Sequence, residues 1–496
     1  MTGQPGDPLV FPPHAGHAMP IAAFCAVLLS SLVVALVSGR GNARDDAKDF
    51  FVASGKFGGF LVFFLSAGES YSVGSILGFP AGVIANGTSF AVWFLGYIVL
   101  AYPVAYFLSP ALWTMGRRYD AVTVADLFGA HFGHRGLELV VAISSILFLI
   151  PMGVMQFTGF LVAFHGLGWP IPPSAAVCGA AVLTFAYVIV SGIRAPAYVS
   201  IIKDILLLAA IVVVGAVSLR AIGHLPPQAR HAPAVLSTPL SPRQMRFDIS
   251  TILLQAVGFC LVPQAFAFNF TSRSARIVRR TQIIMPLYLV MFPFLIAVAS
   301  FAIQSRVAAG TPNEVFVAVA GALLPGALSG IVIAAVTLAA LVVSAAACLT
   351  IGALVSRNLL HGLSDGRQRQ GARIVIAVYL LCSVAGTQFA GGVMTTLNTM
   401  LYLGVPQLLP CVICMLGRVA VPPPFLAAGI VAGDVTAMSL YWAGIAVGGV
   451  NVGWVGLLAN GLVVFAGKGF AWLHSRGTVR IPGIALPEHE GGIRPE

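Results

Sequence analysis

Leu206-Leu207-Leu208-Ala209-Ala210-Ile211-Val212-Val213-Val214-Gly215-Ala216-Val217 runs through twelve residues without a charge and without a period of two. A period of two would mark a strand of a membrane barrel, and Ile374 to Leu381 lacks it as well. Comparable blocks recur along the chain at lengths of about 20 residues, enough to cross a hydrocarbon core of roughly 30 Å at 1.5 Å per helical residue. In lipid a helix satisfies its backbone within itself. The 496 residues are 58% hydrophobic and 9% charged, against roughly 45–50% and about 25% for a soluble chain. The fold class that follows is an all-α integral membrane protein.

Apolar blocks set against polar punctuation place about thirteen spans, beginning near residues 19, 58, 89, 137, 173, 197, 249, 283, 325, 373, 393, 425 and 451. With the N-terminus outside, about 21 basic residues fall on one side and about 5 on the other. The positive-inside rule then puts the N-terminus out and the C-terminus in. Residues 1–18 form a polar N-terminal segment without Lys or Arg, which does not suit a cleaved signal. Residues 19–474 read as one transmembrane domain and residues 475–496 as a cytoplasmic tail. The expected location is the cell membrane, with lipid as a partner. The formal charge of +11 is a topology signal here and does not imply nucleic acid, because no basic stripe with interleaved aromatics accompanies it. No nucleophile–base arrangement or metal cluster is placed as an enzyme would need. The Cys411–Cys414 pair lies in an apolar helix and reads as packing. No metal and no organic cofactor is expected.

The second span reads Gly59-Phe60-Leu61-Val62-Phe63-Phe64-Leu65-Ser66-Ala67-Gly68-Glu69-Ser70-Tyr71-Ser72-Val73-Gly74-Ser75-Ile76-Leu77-Gly78-Phe79-Pro80. Small and hydroxylated residues crowd its middle. Gly68 and Gly74 permit an unwound segment whose carbonyls and hydroxyls could bind a cation or a substrate, the alternative being a face for close helix packing. Glu69 near mid-membrane is costly unless it faces a partner or a water-filled cavity. The seventh span, Ile249 to Phe270, carries Gly258, Pro263, Gln264 and Asn269 and reads as a second broken helix or an ordinary proline kink. Two interrupted spans five apart suggest an inverted repeat. In the sixth span Lys203 sits about two turns from the helix end, either snorkelling or facing the bundle interior. Asp204 points about 100° away from it and reads as a helix-packing or loop partner. Asp434 has no sequence neighbour that suggests a role.

Five further motifs resemble the sodium/solute symporter family. Asp49-Phe50-Phe51-Val52-Ala53-Ser54-Gly55-Lys56 resembles its D-F-F segment. Thr123-Val124-Ala125-Asp126-Leu127-Phe128 with His131-Phe132-Gly133 resembles a cytoplasmic motif in which Arg is usual at His131. Ser191-Gly192-Ile193-Arg194-Ala195 resembles the G-G-x-R-A turn. Phe270 with Arg279-Arg280 resembles the segment after the seventh span, and Leu324-Pro325 with Arg357-Asn358-Leu359 brackets the ninth. The similarity implies ten of about thirteen helices arranged as two inverted five-helix repeats, the LeuT-type fold. It also implies a midplane site and alternating access.

The function expected is a secondary active transporter that takes up a small organic solute, most plausibly a monocarboxylate, with sodium or a proton as coupling cation. The site expected comprises Ser66, Ala67, Gly68, Glu69, Ser70 and Tyr71, Gln156 of the fourth span, Ser200 and Lys203 of the sixth, Gln264 of the seventh and Ser344 of the ninth. Where relatives offer a hydroxyl pair to sodium, this chain has Val342 and Val343, with Ser344 one position later, and valine cannot ligate a hard cation. Lys203 then stands in the sodium position, with Glu69 binding protons or a substrate amine. The rival classes are a channel, for which no short symmetric pore motif is visible, and a transporter-like sensor, which would need a fused signalling domain.

Overall fold

The structure, a computed structural model, describes residues 18–39, 46–226, 239–388 and 394–476; the side chains of Glu69 and Ser70 and of residues 474–476 lie outside that description. The regular structure of its described residues is helical, apart from one parallel bridge between Phe57 and Ser272. Helix α1 (Ala18–Ser38) and the short α2 (Ala47–Val52) lead into α3 (Gly59–Ser70), α4 (Val73–Ile76) and α5 (Gly78–Arg118). Next come α6 (Val124–Phe132), α7 (Arg135–Leu167), α8 (Pro173–Ser191) and α9 (Arg194–Gly223). The second half contains α10 (Pro242–Leu261), α11 (Pro263–Thr271), α12 (Ala275–Ile284), α13 (Phe292–Ser305), α14 (Val315–Leu323) and α15 (Gly326–Ala353). It closes with α16 (Asp365–Gly386), α17 (Met394–Gly404), α18 (Leu409–Leu416), α19 (Pro423–Trp442) and α20 (Val452–Arg476).

Eleven of the described helical stretches are long and apolar enough to cross a membrane, and twelve if the bent α10–α11 pair is one span. The sequence suggests about thirteen, and the difference lies at α3 to α5. The twelve-residue α3 is too short alone, and α5 is one 41-residue run that contains Gly87 at φ +66°. Three helices begin earlier than hydropathy places them: α10 at Pro242, α12 at Ala275 and α16 at Asp365. Each gains a polar first turn or two outside the apolar block. Ser241 and Gln244 cap α10 reciprocally, and Ser274 accepts from the Ile277 amide to cap α12.

Apolar side chains cover the outside, among them Phe107, Leu381, Trp442 and Phe465, as expected where lipid is the solvent. The centre is α15, 94% of whose spanning window is buried. Its run of Ala, Gly, Ser and Thr lets α1, α7, α9 and α16 pack closely on it.

At the end that carries the basic loops, the recognised motifs bind one another in two clasps. In the first, Asp49 on α2 receives Arg194 Nη2 at 2.8 and 3.2 Å, and the Ile193 amide donates to the Phe50 carbonyl at 3.0 Å. Gly192 allows this approach: its φ is +55°, and a Cβ there would lie 2.5 Å from the Phe50 carbonyl oxygen. In the second, a π-helical turn at Leu354–Leu359 presents Arg357 and Asn358 to α6. Asp126 accepts from Arg357 Nε at 3.1 Å and from Asn358 Nδ2 at 2.6 Å, while Thr123 donates to Asn358 Oδ1 at 2.9 Å. Asn358 Nδ2 also reaches Glu138 at 2.8 Å. His131 packs on Tyr119 with Nδ1 3.0 Å from its hydroxyl; burial, then Arg118, push the imidazole below its ordinary value. Between the clasps Phe51, Val122, Ile193, Pro263 and Leu349 leave a hollow of about 10 Å³, too small for a solute.

Gly192→Ala should therefore cost about 1–3 kcal/mol in a left-handed, contact-limited position. Gly179→Ala, which meets nothing within 4 Å, should not. Thermal unfolding of the two variants in detergent compares them; equal midpoints would contradict the first clasp.

Candidate functional site

The second span breaks where its small and hydroxylated residues cluster. Helix α3 ends at Ser70, Tyr71 leaves helical geometry at φ −106°, ψ 64°, and Ser72 is extended before α4 begins. Gly74, one of the two glycines expected at the unwound segment, falls inside α4 against Met155. The interruption leaves the Tyr71 carbonyl outside the helical ladder. Lys203 Nζ on α9 donates to it at 3.3 Å.

Lys203 is fully buried, so it does not snorkel. Its Cα lies nine residues beyond the start of α9, about 13 Å along the axis, and its side chain crosses to the break. A Cβ on Gly68 would lie 3.2 Å from Nζ and 3.8 Å from Val342 Cγ1. Gly68 thus leaves room for the ammonium, and a side chain there would displace it by a few tenths of an ångström. Val342, and not a hydroxyl, borders the same side of Gly68. Ser344 is two residues on, about 200° around α15, with its hydroxyl buried and unpartnered among the described residues.

Asp204 corrects the sequence reading. It is no loop partner: its Oδ1 lies 2.5 Å from Lys203 Nζ, and the two side chains are 1% and 0% exposed. Adjacent helical residues diverge by about 100° at Cβ, but the flexible lysine stem brings its ammonium back. Apart from that ammonium, no donor among the described residues reaches either carboxylate oxygen.

Tyr71 turns its side chain the other way. Its hydroxyl donates to the Tyr288 carbonyl, and its ring packs 4.6 Å from that of Tyr288. Tyr288 belongs to a 3-10 turn, Met285–Met291, between α12 and α13.

The seventh span breaks at Val262, where α11 departs from α10 by 45°. Gln264 on α11 and Gln156 on α7 are wholly buried, and neither amide has a hydrogen-bond partner among the described residues. Leaving such a group unpaired costs about 1–3 kcal/mol. Both helices pack on α15. Ser200 donates to the Ala197 carbonyl at 2.8 Å within its own helix, and Ala67 is buried. Ser66 faces a different place, a cavity of about 30 Å³ that it shares with Ser109, Asn269 and Gln282. The structure thus gathers Gly68, Tyr71 and Lys203, adds Val342 and Asp204, and sends Ser66 and Ser200 elsewhere; Glu69 and Ser70 carry side chains outside the described residues. Asp434 accepts from Ser144 at 2.7 Å, a helix-to-helix bond remote in sequence from the break. Among the described residues no three His, Cys, Asp or Glu converge as metal ligands, and Cys411 and Cys414 are buried free thiols.

Removing one partner of a buried ion pair strands the other at a cost of about 3–5 kcal/mol, whereas an apolar replacement of both is often tolerated. Lys203→Met is expected to lower the unfolding midpoint in detergent, and Lys203→Met/Asp204→Leu to regain most of the loss. Additive losses would show that the pair is not coupled.

A model described as the sodium:solute symporter family matches residues 50–396. An uncharacterised symporter of Bacillus subtilis (strain 168), YhjB, is 29% identical over 426 residues, covering 82% of this chain and 86% of its own. A monocarboxylate transport permease protein of Rhizobium johnstonii is 26% identical over 400 residues, covering 76% and 79%. Among solved structures, a substrate-bound, outward-open Na+-coupled sialic acid symporter superposes with a TM-score of 0.73 at 16% identity, over 92% of this chain and 98% of that one. At that identity the likeness is one of fold.

Proposed function

The chain belongs to the sodium/solute symporter family, and from that premise we propose that it couples uptake of a monocarboxylate to a proton, with the Lys203 ammonium standing where relatives hold sodium. As a family member it is a secondary transporter and not an enzyme, and it is a multi-pass protein of the cell membrane. Joining α3, α4 and the residues before Gly87 into one broken span, and starting the next after Gly87, gives the thirteen spans that the apolar blocks suggest. Ten of these would form two inverted five-helix repeats of the LeuT type, with the N-terminus out and the C-terminus in. Two breaks, at Tyr71–Ser72 and at Val262, fall at the second and seventh spans, five apart, as such repeats require. The basic end with its two clasps is then cytoplasmic. Residues 19–474 make up the one transmembrane domain, flanked by 1–18 and 475–496.

The observation that carries the reading is the contact of Lys203 Nζ with the Tyr71 carbonyl beside Gly68 and Val342. A sodium ion needs several oxygens at that depth, and a fully buried ammonium already takes the break's carbonyl. The monocarboxylate assignment draws support from the Rhizobium relative's name. The midplane site is drawn from Gly68, Tyr71, Gln156, Lys203 and Gln264, with Glu69, Ser70 and Ser344 as further candidates.

Uptake of labelled pyruvate, lactate and related acids into liposomes holding purified protein tests this directly. A proton gradient alone should drive saturable accumulation, and a sodium gradient alone should not. Sodium-driven uptake would return the protein to ordinary family behaviour, and failure with every acid would discard the substrate class.

A further inference from the structure

We propose that Asp204 is the site of the coupling proton, and that its protonation releases Lys203 to bind the carboxylate of the solute; this rests on the reading of Lys203 given above. The two side chains form an ion pair of 2.5 Å sealed from solvent. The carboxylate has no other donor among the described residues, and the ammonium has one further acceptor, the Tyr71 carbonyl at the break. The titratable groups within electrostatic range of Asp204 among the described residues are Lys203 on its own helix and, from the broken second span and the 3-10 turn before α13, the phenols of Tyr71 and Tyr288, with Tyr102 of α5 within range of both phenols. Glu69 belongs to the same broken span and enters the test as the rival proton carrier.

Charge balance makes the pair a symport device. With Asp204 ionised the pair is neutral. A proton taken from the outer solution forms an O–H bond on Asp204 and leaves one uncompensated positive charge, that of Lys203. Uncompensated charge in a low-dielectric interior is costly, and a solute carboxylate arriving at the ammonium removes it. On the inner side the carboxylate departs, the Asp204 O–H bond breaks toward the cytoplasm, and the ion pair re-forms. The empty and the doubly loaded site are both neutral, while each singly loaded state carries a net charge. Proton and anion therefore favour one another's binding, and the cycle moves no net charge.

The test uses the full chain in liposomes with labelled pyruvate and lactate. Accumulation by the wild type should follow a proton gradient and stay unchanged when valinomycin and potassium impose a membrane potential. Asp204→Asn should keep solute-for-solute exchange, lose at least tenfold of the proton-driven accumulation and lose the pH dependence of exchange. Asp204→Glu should accumulate with a displaced pH profile, and Glu69→Gln, at whatever rate it transports, should keep the pH dependence of exchange that Asp204→Asn loses. Proton-driven accumulation by Asp204→Asn, or loss of the pH dependence of exchange in Glu69→Gln alone, would overturn the assignment while leaving Lys203 in its place. Sodium-driven uptake by the wild type would overturn both readings. If Asp204→Asn fails to fold or to exchange, Asp204→Glu decides: an unchanged pH profile overturns the proposal.

Discussion

An ammonium group sealed inside a membrane protein has to be satisfied there, because neither lipid nor water can do it. Around Lys203 that requirement reaches two other spans and its own neighbour. The second span breaks so that the Tyr71 carbonyl is free to accept, Gly68 carries no side chain where the ammonium passes, and the ninth span offers Val342 in place of a hydroxyl. Asp204 supplies the counter-charge. An apolar wall strengthens the pair by lowering the local dielectric, and the same wall raises the cost of separating it.

The rest of the fold holds that contact in register. The small side chains of α15 allow the helices carrying Lys203 and Gln156, α9 and α7, to close on one post. At the basic end the backbone bridge from Phe57 to Thr271 and Arg273 ties the start of the second span to the end of the seventh. The clasps at Asp49–Arg194 and at Asp126–Asn358 then tie α2 and α6 to the turns below the sixth and ninth spans. Rigid pieces joined at polar contacts at one end suit a protein in which groups of helices must move against each other.

Much of this was legible in the sequence. The apolar blocks located the spans, since transfer into lipid is what selects them. They missed the first turns of α10, α12 and α16, where the helix has left the hydrocarbon and capping residues take over. The two breaks were visible as glycine, serine and proline within apolar runs. The clasp motifs were visible singly, but their pairing was not, because contacts such as Thr123 with Asn358 are 235 residues apart. Asp204 was misjudged from Cβ directions alone, which ignore the reach of a lysine. Ser66 reads in the sequence as one of a run of site residues, and in the structure it lines a cavity with Ser109, Asn269 and Gln282. Proximity along a chain says little about which face of a helix a hydroxyl takes.

The proposal that the Lys203 ammonium replaces a sodium ion is most directly tested by equilibrium binding of radioactive sodium to the purified protein. If the ammonium occupies the cation position, the wild type shows no saturable sodium binding up to high millimolar concentrations. Saturable binding near one ion per chain in the wild type, with Lys203 intact, would contradict it.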